Sequence, residues 1–198
     1  MEGVAGTCGP AAPIYDMPPQ LKTKSLGGRR GKLRGALAMT LQRATAKNIS
    51  AAERLDGFID AYTPTVASIA RGALARLRKQ VPGAIELVGD RYTGLVIGFS
   101  PTERPAHATL SIVLYPRWVN LFFLRGATLH DPKGLLQGAG TVVRHITIHD
   151  PARLDDDGVQ ALVAQARAQA GTSFPRRRRI IIKSISAKRR ARRPARAK

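Results

Sequence analysis

Only one cysteine occurs in the 198 residues, Cys8, so no internal disulfide is available and no oxidising compartment is implied. Val4 to Cys8 is not a lipoprotein cleavage box, because it has one residue too many before the cysteine, no basic start and no apolar stretch. No window approaches 18 consecutive apolar residues, which removes a transmembrane helix and makes the cytoplasm the default compartment. Catalytic signatures are missing as well. There is no G-x-S-x-G, H-E-x-x-H or C-x-x-C, and Gly138-x-Gly140 leads toward a strand rather than a phosphate-binding helix. The expectation is a protein that is not an enzyme.

Acidic residues are scarce where basic ones are dense. Residues 176–198 hold twelve Lys or Arg and no Asp or Glu. Residues 1–50 hold eight against two, whereas residues 51–175 hold 13 basic and 11 acidic residues. The net charge of +20 therefore belongs mainly to the two ends, and the middle is close to neutral. Prolines 10, 13, 18 and 19 and four glycines between 27 and 35 interrupt any period in the first stretch. Residues 1–49 are expected to be disordered and basic, with a short helical piece at 37–43. A translation start at Met39 would remove residues 1–38 altogether.

Order is expected from residue 50 to residue 171. Ser50 and Glu53 have capping-box spacing. Leu55, Phe58, Ile59 and Tyr62 follow as one apolar helical stripe. Thr63-Pro64 begins a second helix, with Val66, Ala70, Ala73, Leu74 and Leu77 on its buried face, and Pro82-Gly83 stops it. The period then changes to two. Segments 84–88, 95–100, 109–115, 119–124 and 142–149 are rich in Val, Ile, Leu and Phe and read as strands. Asp155 to Asp157 open a last helix whose apolar face is Val159, Leu162, Val163 and Ala166. The order α-α-β-β-β-β-β-α with short links predicts an α+β domain, helices on one face of a roughly five-stranded antiparallel sheet. Residues 172–198 are expected to be a mostly disordered basic tail, with Ile180 to Ile182 as an alternative extra strand.

The segment from Leu124 to Gly140 reads LRGATLHDPKGLLQGAG, and Arg144-His145-Ile146 follows. This run resembles the signature of the YdhG-like domain family, small bacterial proteins of unknown function, and Val81-Pro82-Gly83-Ala84 is similar to that family's helix-to-strand junction. The resemblance covers about residues 52–170. It implies a frataxin-like fold and a frataxin-like role as an iron chaperone. Frataxins carry a dense acidic ridge on the first helix and first strand. The positions here are Glu53, Asp56 and Asp60, with Glu86 and Asp90 beyond them.

Glu53, Asp56 and Asp60 share one helical stripe, and three carboxylates on one face would hold iron weakly through oxygen ligands. The same pattern is that of an ordinary solvated helix face. His145 and His149 project from one strand face about 13 Å apart, too far for one ion. The tail offers a different function. Arg176, Arg177, Arg178, Arg179, Lys188, Arg189, Arg190, Arg192 and Arg193 would attract nucleic acid or another polyanion by counterion release. The tail itself has no aromatic residue after Phe174, so it would contact phosphates rather than stack on bases. Three hypotheses follow in order: an iron-handling or interaction module, a polyanion-binding protein, and a small-ligand or enzymatic role at the Gly126–His145 loop, where Arg125 and Arg144 would bind an anion; the oligomeric state is left open.

Overall fold

The computed structural model describes residues 49–188 and 191–193, all of which fall in one compact unit. The expected disorder of residues 1–48, the helical piece at 37–43, Met39, Cys8, Arg189 and Arg190 lie outside the described residues.

Helix α1 spans Ala51–Asp60. Its first turn is closed reciprocally. Ser50 donates its backbone N–H to Glu53 Oε2 at 2.7 Å, and the Glu53 N–H donates to Ser50 Oγ at 3.2 Å. Leu55 and Ile59 point inward, and Tyr62 follows them into the core. The Tyr62 hydroxyl donates to the Leu114 carbonyl at 3.1 Å and accepts from the Leu95 N–H at 2.9 Å, so a buried phenol satisfies two strands at once. Thr63 caps helix α2, Pro64–Gln80, through Val66 N–H, and Pro64 occupies a first-turn position where no donor is needed. Helix α3, Asp157–Ala168, buries Val159, Leu162, Val163 and Ala166, the expected face. A 3-10 turn over Pro151–Asp155 precedes it.

The strands are β1 Ile85–Asp90, β2 Leu95–Ser100, β3 Leu110–Leu114, β4 Val119–Phe123, β5 Arg144–Ile148 and β6 Arg179–Ile185. Together with three helices they make a mixed α+β fold around one open six-stranded sheet, in the order β5-β4-β3-β2-β1-β6. Neighbours from β1 to β5 pair antiparallel in chain order, as expected. Register puts Val88, Ile97, Ile112, Leu121 and Ile146 in one row across the sheet, and that parity packs against all three helices. The helices thus share one face.

The strand count is corrected from about five to six. The sixth strand lies within residues 172–198 and pairs parallel to β1. Ile180 and Ile182 stand beside Glu86 and Val88 on the helix-covered parity and pack against the core, which is why the isoleucine run leaves solvent. Burying apolar area of this kind is favourable at about 25 cal/mol per Å². The chain reaches β6 past Gly83, which sits at φ +78°, and a Cβ there would lie 1.6 Å from the Pro175 carbonyl oxygen. Gly83 therefore both ends the α2 junction and leaves room for the returning chain.

Candidate nucleic-acid interface

Glu86 and Asp90 are buried on the helix-covered face of β1, opposite Phe99 and Leu95. A buried carboxylate needs a paired cation and hydrogen bonds. Glu86 receives both. Arg78 of α2 grips it with two parallel hydrogen bonds of 2.8 Å, and Arg178 adds a third contact at 3.3 Å. The hydrogen bond to Glu86 raises the Arg78 pKa further above its ordinary range, against the opposing effect of burial. Asp90 is held by Arg192 Nη2, which also donates to the Arg91 carbonyl. Arg192 is only 9% exposed and lies over the Tyr62 ring at 5.5 Å, a cation–π contact.

These contacts divide the nine tail cations. Arg178 and Arg192 serve the buried carboxylates, and Arg179 pairs with Glu103. Arg193 donates to the Tyr62 and Asp60 carbonyls at 3.3 and 3.4 Å. Arg176, Arg177 and Lys188 are exposed. Lys183, which the sequence reading passed over, joins them. It sits at the register irregularity opposite Val88 and Gly89, and it is exposed. Its signal was available only once the surrounding isoleucines were placed in a strand.

The three carboxylates of α1 are not drawn together. Glu53 is occupied by the cap, and the Ser50 backbone N–H, then the Ser50 hydroxyl, hold its carboxyl below the ordinary value of 4.5. Asp60 accepts from Arg71 at 2.6 Å, and the charge of Asp56 is felt by Arg78. Among the described residues no three His, Cys, Asp or Glu side chains form a group that would hold a metal ion.

The loop between β4 and β5 is closed by its own backbone. Gln137 and His145 form an antiparallel bridge, and Asp131 accepts from Leu136 N–H at 2.7 Å. The four glycines of this loop read from the sequence as tight turns of positive φ; Gly134 and Gly138 take it, whereas Gly126 and Gly140 do not. Arg125 donates to the Gln169 carbonyl, and Arg144 to the carbonyls of Gly140 and Val143, so both guanidiniums face carbonyl oxygens. A cleft of about 610 Å³ is lined by Gln80, Val163, Arg167 and Phe174, and another of about 480 Å³ by Lys133, Arg153, Asp155 and Asp157. Neither includes Arg125 or Arg144.

A second group of residues went unnoticed in the sequence. Tyr92 lies in the β1–β2 turn and Tyr115 and Trp118 flank the β3–β4 turn, with Arg91 and Arg117 beside them. Each occupies a turn of a few residues, where no periodic signal exists.

Among the described residues no helix is long and apolar enough to cross a membrane. The chain matches no family model, and no curated protein and no solved structure matches it significantly.

Proposed function

We propose that this protein is a non-enzymatic polyanion-binding protein, with nucleic acid as its partner, acting in the cytoplasm through its C-terminal basic segment. One observation carries the reading. That segment is docked as edge strand β6, so exposed Lys183 is held within the strand and exposed Arg176, Arg177 and Lys188 lie within three residues of its ends, while Arg178 and Arg192 anchor the segment. Cations fixed in place lose less conformational freedom on meeting a phosphate chain than cations on a free tail. Binding should be weakly specific and steeply salt-dependent. The test is fluorescence anisotropy of the full chain with a labelled oligonucleotide across a salt series. Replacing the four exposed cations with Gln should lower the salt slope by up to about 4, one per lost phosphate contact. An unchanged slope in that variant sinks the assignment, as does failure of the native chain to bind at low salt.

A second reading has support in the fold. Helices on one face of a sheet whose first five strands run antiparallel in chain order is the arrangement that the YdhG-like, frataxin-like resemblance implies. Under it the protein would handle iron weakly at Glu53, Asp56 and Asp60. Anaerobic titration of ferrous iron into the full chain and into its Glu53→Ala, Asp56→Ala, Asp60→Ala variant decides this. Micromolar binding lost in the variant supports it, and binding indifferent to the substitutions removes it.

A further inference from the structure

The two turns that carry Tyr92 and Trp118 open at the same end of the sheet. Strand β1 finishes at Asp90, and the Arg91 N–H donates to the Gly94 carbonyl at 3.0 Å to close the turn into β2. Leu95 is then opposite Leu114, and Leu114 opposite Val119, so the β3–β4 turn is its neighbour. The approach is close, since a Cβ on Gly94 would lie 2.4 Å from the Leu114 carbonyl oxygen. Two strand spacings put the turns about 10 Å apart.

These turns present aromatic side chains to solvent. Tyr92 is 56% exposed and Trp118 45%. Trp118 is backed by Tyr115, with ring centroids 5.5 Å apart, and the Tyr115 N–H donates to the Trp118 carbonyl at 2.9 Å across the turn. Arg91 and Arg117 are exposed within the same two turns. Because β6 runs parallel to β1, the basic segment leaves the sheet at this end as well. The Ser186 N–H donates to the Asp90 carbonyl at 2.8 Å, Lys188 follows, and Arg192 Nη1 reaches the Tyr92 carbonyl at 3.5 Å. Exposed aromatic residues thus share this end of the sheet with exposed Arg91, Arg117 and Lys188.

We propose that this end of the sheet is a stacking site for unpaired bases, so that single-stranded nucleic acid is the polyanion this protein prefers. The proposal deepens the polyanion-binding reading and rests on it. Aromatic side chains beside cations bind single strands because bases stack on the rings while phosphates meet the arginines and lysines. In a duplex those base faces are already stacked on each other and only the phosphates remain accessible. The charge excludes a cationic partner. The ring pair alone would also suit an apolar protein surface, but Arg91, Arg117 and Lys188 around it favour a partner that supplies negative charge and flat apolar faces together.

Trp118 is the only tryptophan in the chain, which makes the site its own reporter. The experiment is titration of the full-length protein with oligothymidylate of about 20 nucleotides, a length above the site size of one small domain. Tryptophan fluorescence and anisotropy are followed together, alongside the same strand annealed to its complement. The expected result is quenching of Trp118 by the single strand and weaker, less quenching binding of the duplex. Trp118→Ala should weaken single-strand binding by roughly 5- to 150-fold, the range for one stacked base. It should leave the salt slope and duplex binding unchanged. Trp118→Phe should keep most of the affinity, which guards against a folding defect in the alanine variant. Salt-dependent binding with no change in fluorescence and no effect of either substitution overturns the stacking site and leaves the polyanion reading standing. Failure of the native chain to bind any nucleic acid overturns both. Quenching by phosphatidylserine vesicles but not by the oligonucleotide assigns the same residues to a membrane surface and overturns the proposal.

Discussion

Arg178 follows Glu86 by 92 residues in the chain and brings Nη1 to 3.3 Å of its carboxylate Oε1, the oxygen that Arg78 Nε also reaches at 2.8 Å. Asp90, four residues further along β1, is held by Arg192 from still later in the chain. The first strand therefore carries a buried acid near each end, and the C-terminal segment supplies an arginine to both. Two of the cations in that segment, Arg178 and Arg192, are therefore structural.

The first prediction concerns this grip. Arg78→Leu leaves the Glu86 carboxylate, which is fully buried, with only its longer contact to Arg178. Breaking a buried pair by removing one partner costs about 3–5 kcal/mol, and the lower end applies because Arg178 remains. Urea unfolding should show a loss of about 3 kcal/mol. The double variant Arg78→Leu with Glu86→Leu should recover most of it, since an apolar pair of similar volume is often as stable as a buried ion pair. A double variant no better than the single one would show that Arg78 acts through packing alone.

Gly83 supplies the second. Any side chain there meets the Pro175 carbonyl and must also adopt φ +78°, a region that costs a non-glycine residue about 1–3 kcal/mol. Gly83→Ala should destabilise the protein by at least that strain and should loosen the approach to β6 first. Limited trypsin digestion reads this directly. Cleavage at Arg176 to Arg179 should accelerate well beyond cleavage within α2. Equal acceleration everywhere would mean that the residue matters to the junction and not to the docked strand.

How much of this could be read from the sequence depends on how far each feature reaches along the chain. Ser50 with Glu53 and Thr63 with Pro64 announce helix starts within three residues, and both caps form as expected. Strands β2, β3 and β4 are apolar runs ended by turn residues, and the expected segments contain them. Glu86 and Asp90 could not be placed. A carboxylate in a strand reads as a solvent-facing residue until a cation from a distant part of the chain is positioned against it. Strand β6 was legible only as the alternative for Ile180 to Ile182, because three isoleucines flanked by arginines and a lysine carry no alternation that marks a face or a partner strand. Tyr92 and Trp118 lie in separate turns, and only the pairing of β2 with β3 makes them neighbours.

The third prediction is a titration. Hydrogen bonds from Ser50 hold the Glu53 carboxyl below its ordinary value of 4.5, so the cap favours folding fully at pH values above 4.5. Its contribution should fade as pH drops through the lower value of the folded state, because the protonated carboxyl no longer accepts strongly from the Ser50 N–H. In Ser50→Ala the hydroxyl is lost but the backbone donor, the larger cause, remains. The Glu53 titration followed by carboxyl-carbon NMR should therefore move up only part of the way toward 4.5. A complete return to 4.5 would mean that the hydroxyl holds the whole turn in place.

The last prediction tests whether the C-terminal segment belongs to the fold. A chain ending at Pro175 lacks β6, Arg178 and Arg192. It exposes the whole edge of β1 from Ile85 to Asp90, leaves Asp90 without Arg192 and uncovers the apolar groups on which Ile180 and Ile182 pack. An exposed edge with buried acids turned to water and apolar neighbours uncovered is a template for association. The truncated chain should therefore be less stable than the full one by more than the Arg78→Leu variant, and it should self-associate as its concentration rises. Sedimentation velocity and thermal unfolding check both points. A truncated chain that stays monomeric with an unchanged melting temperature would show β6 to be an accessory strand. The polyanion reading would then rest on a segment free to leave the domain, with Arg178 and Arg192 available to phosphate and a salt slope steeper than four exposed cations allow.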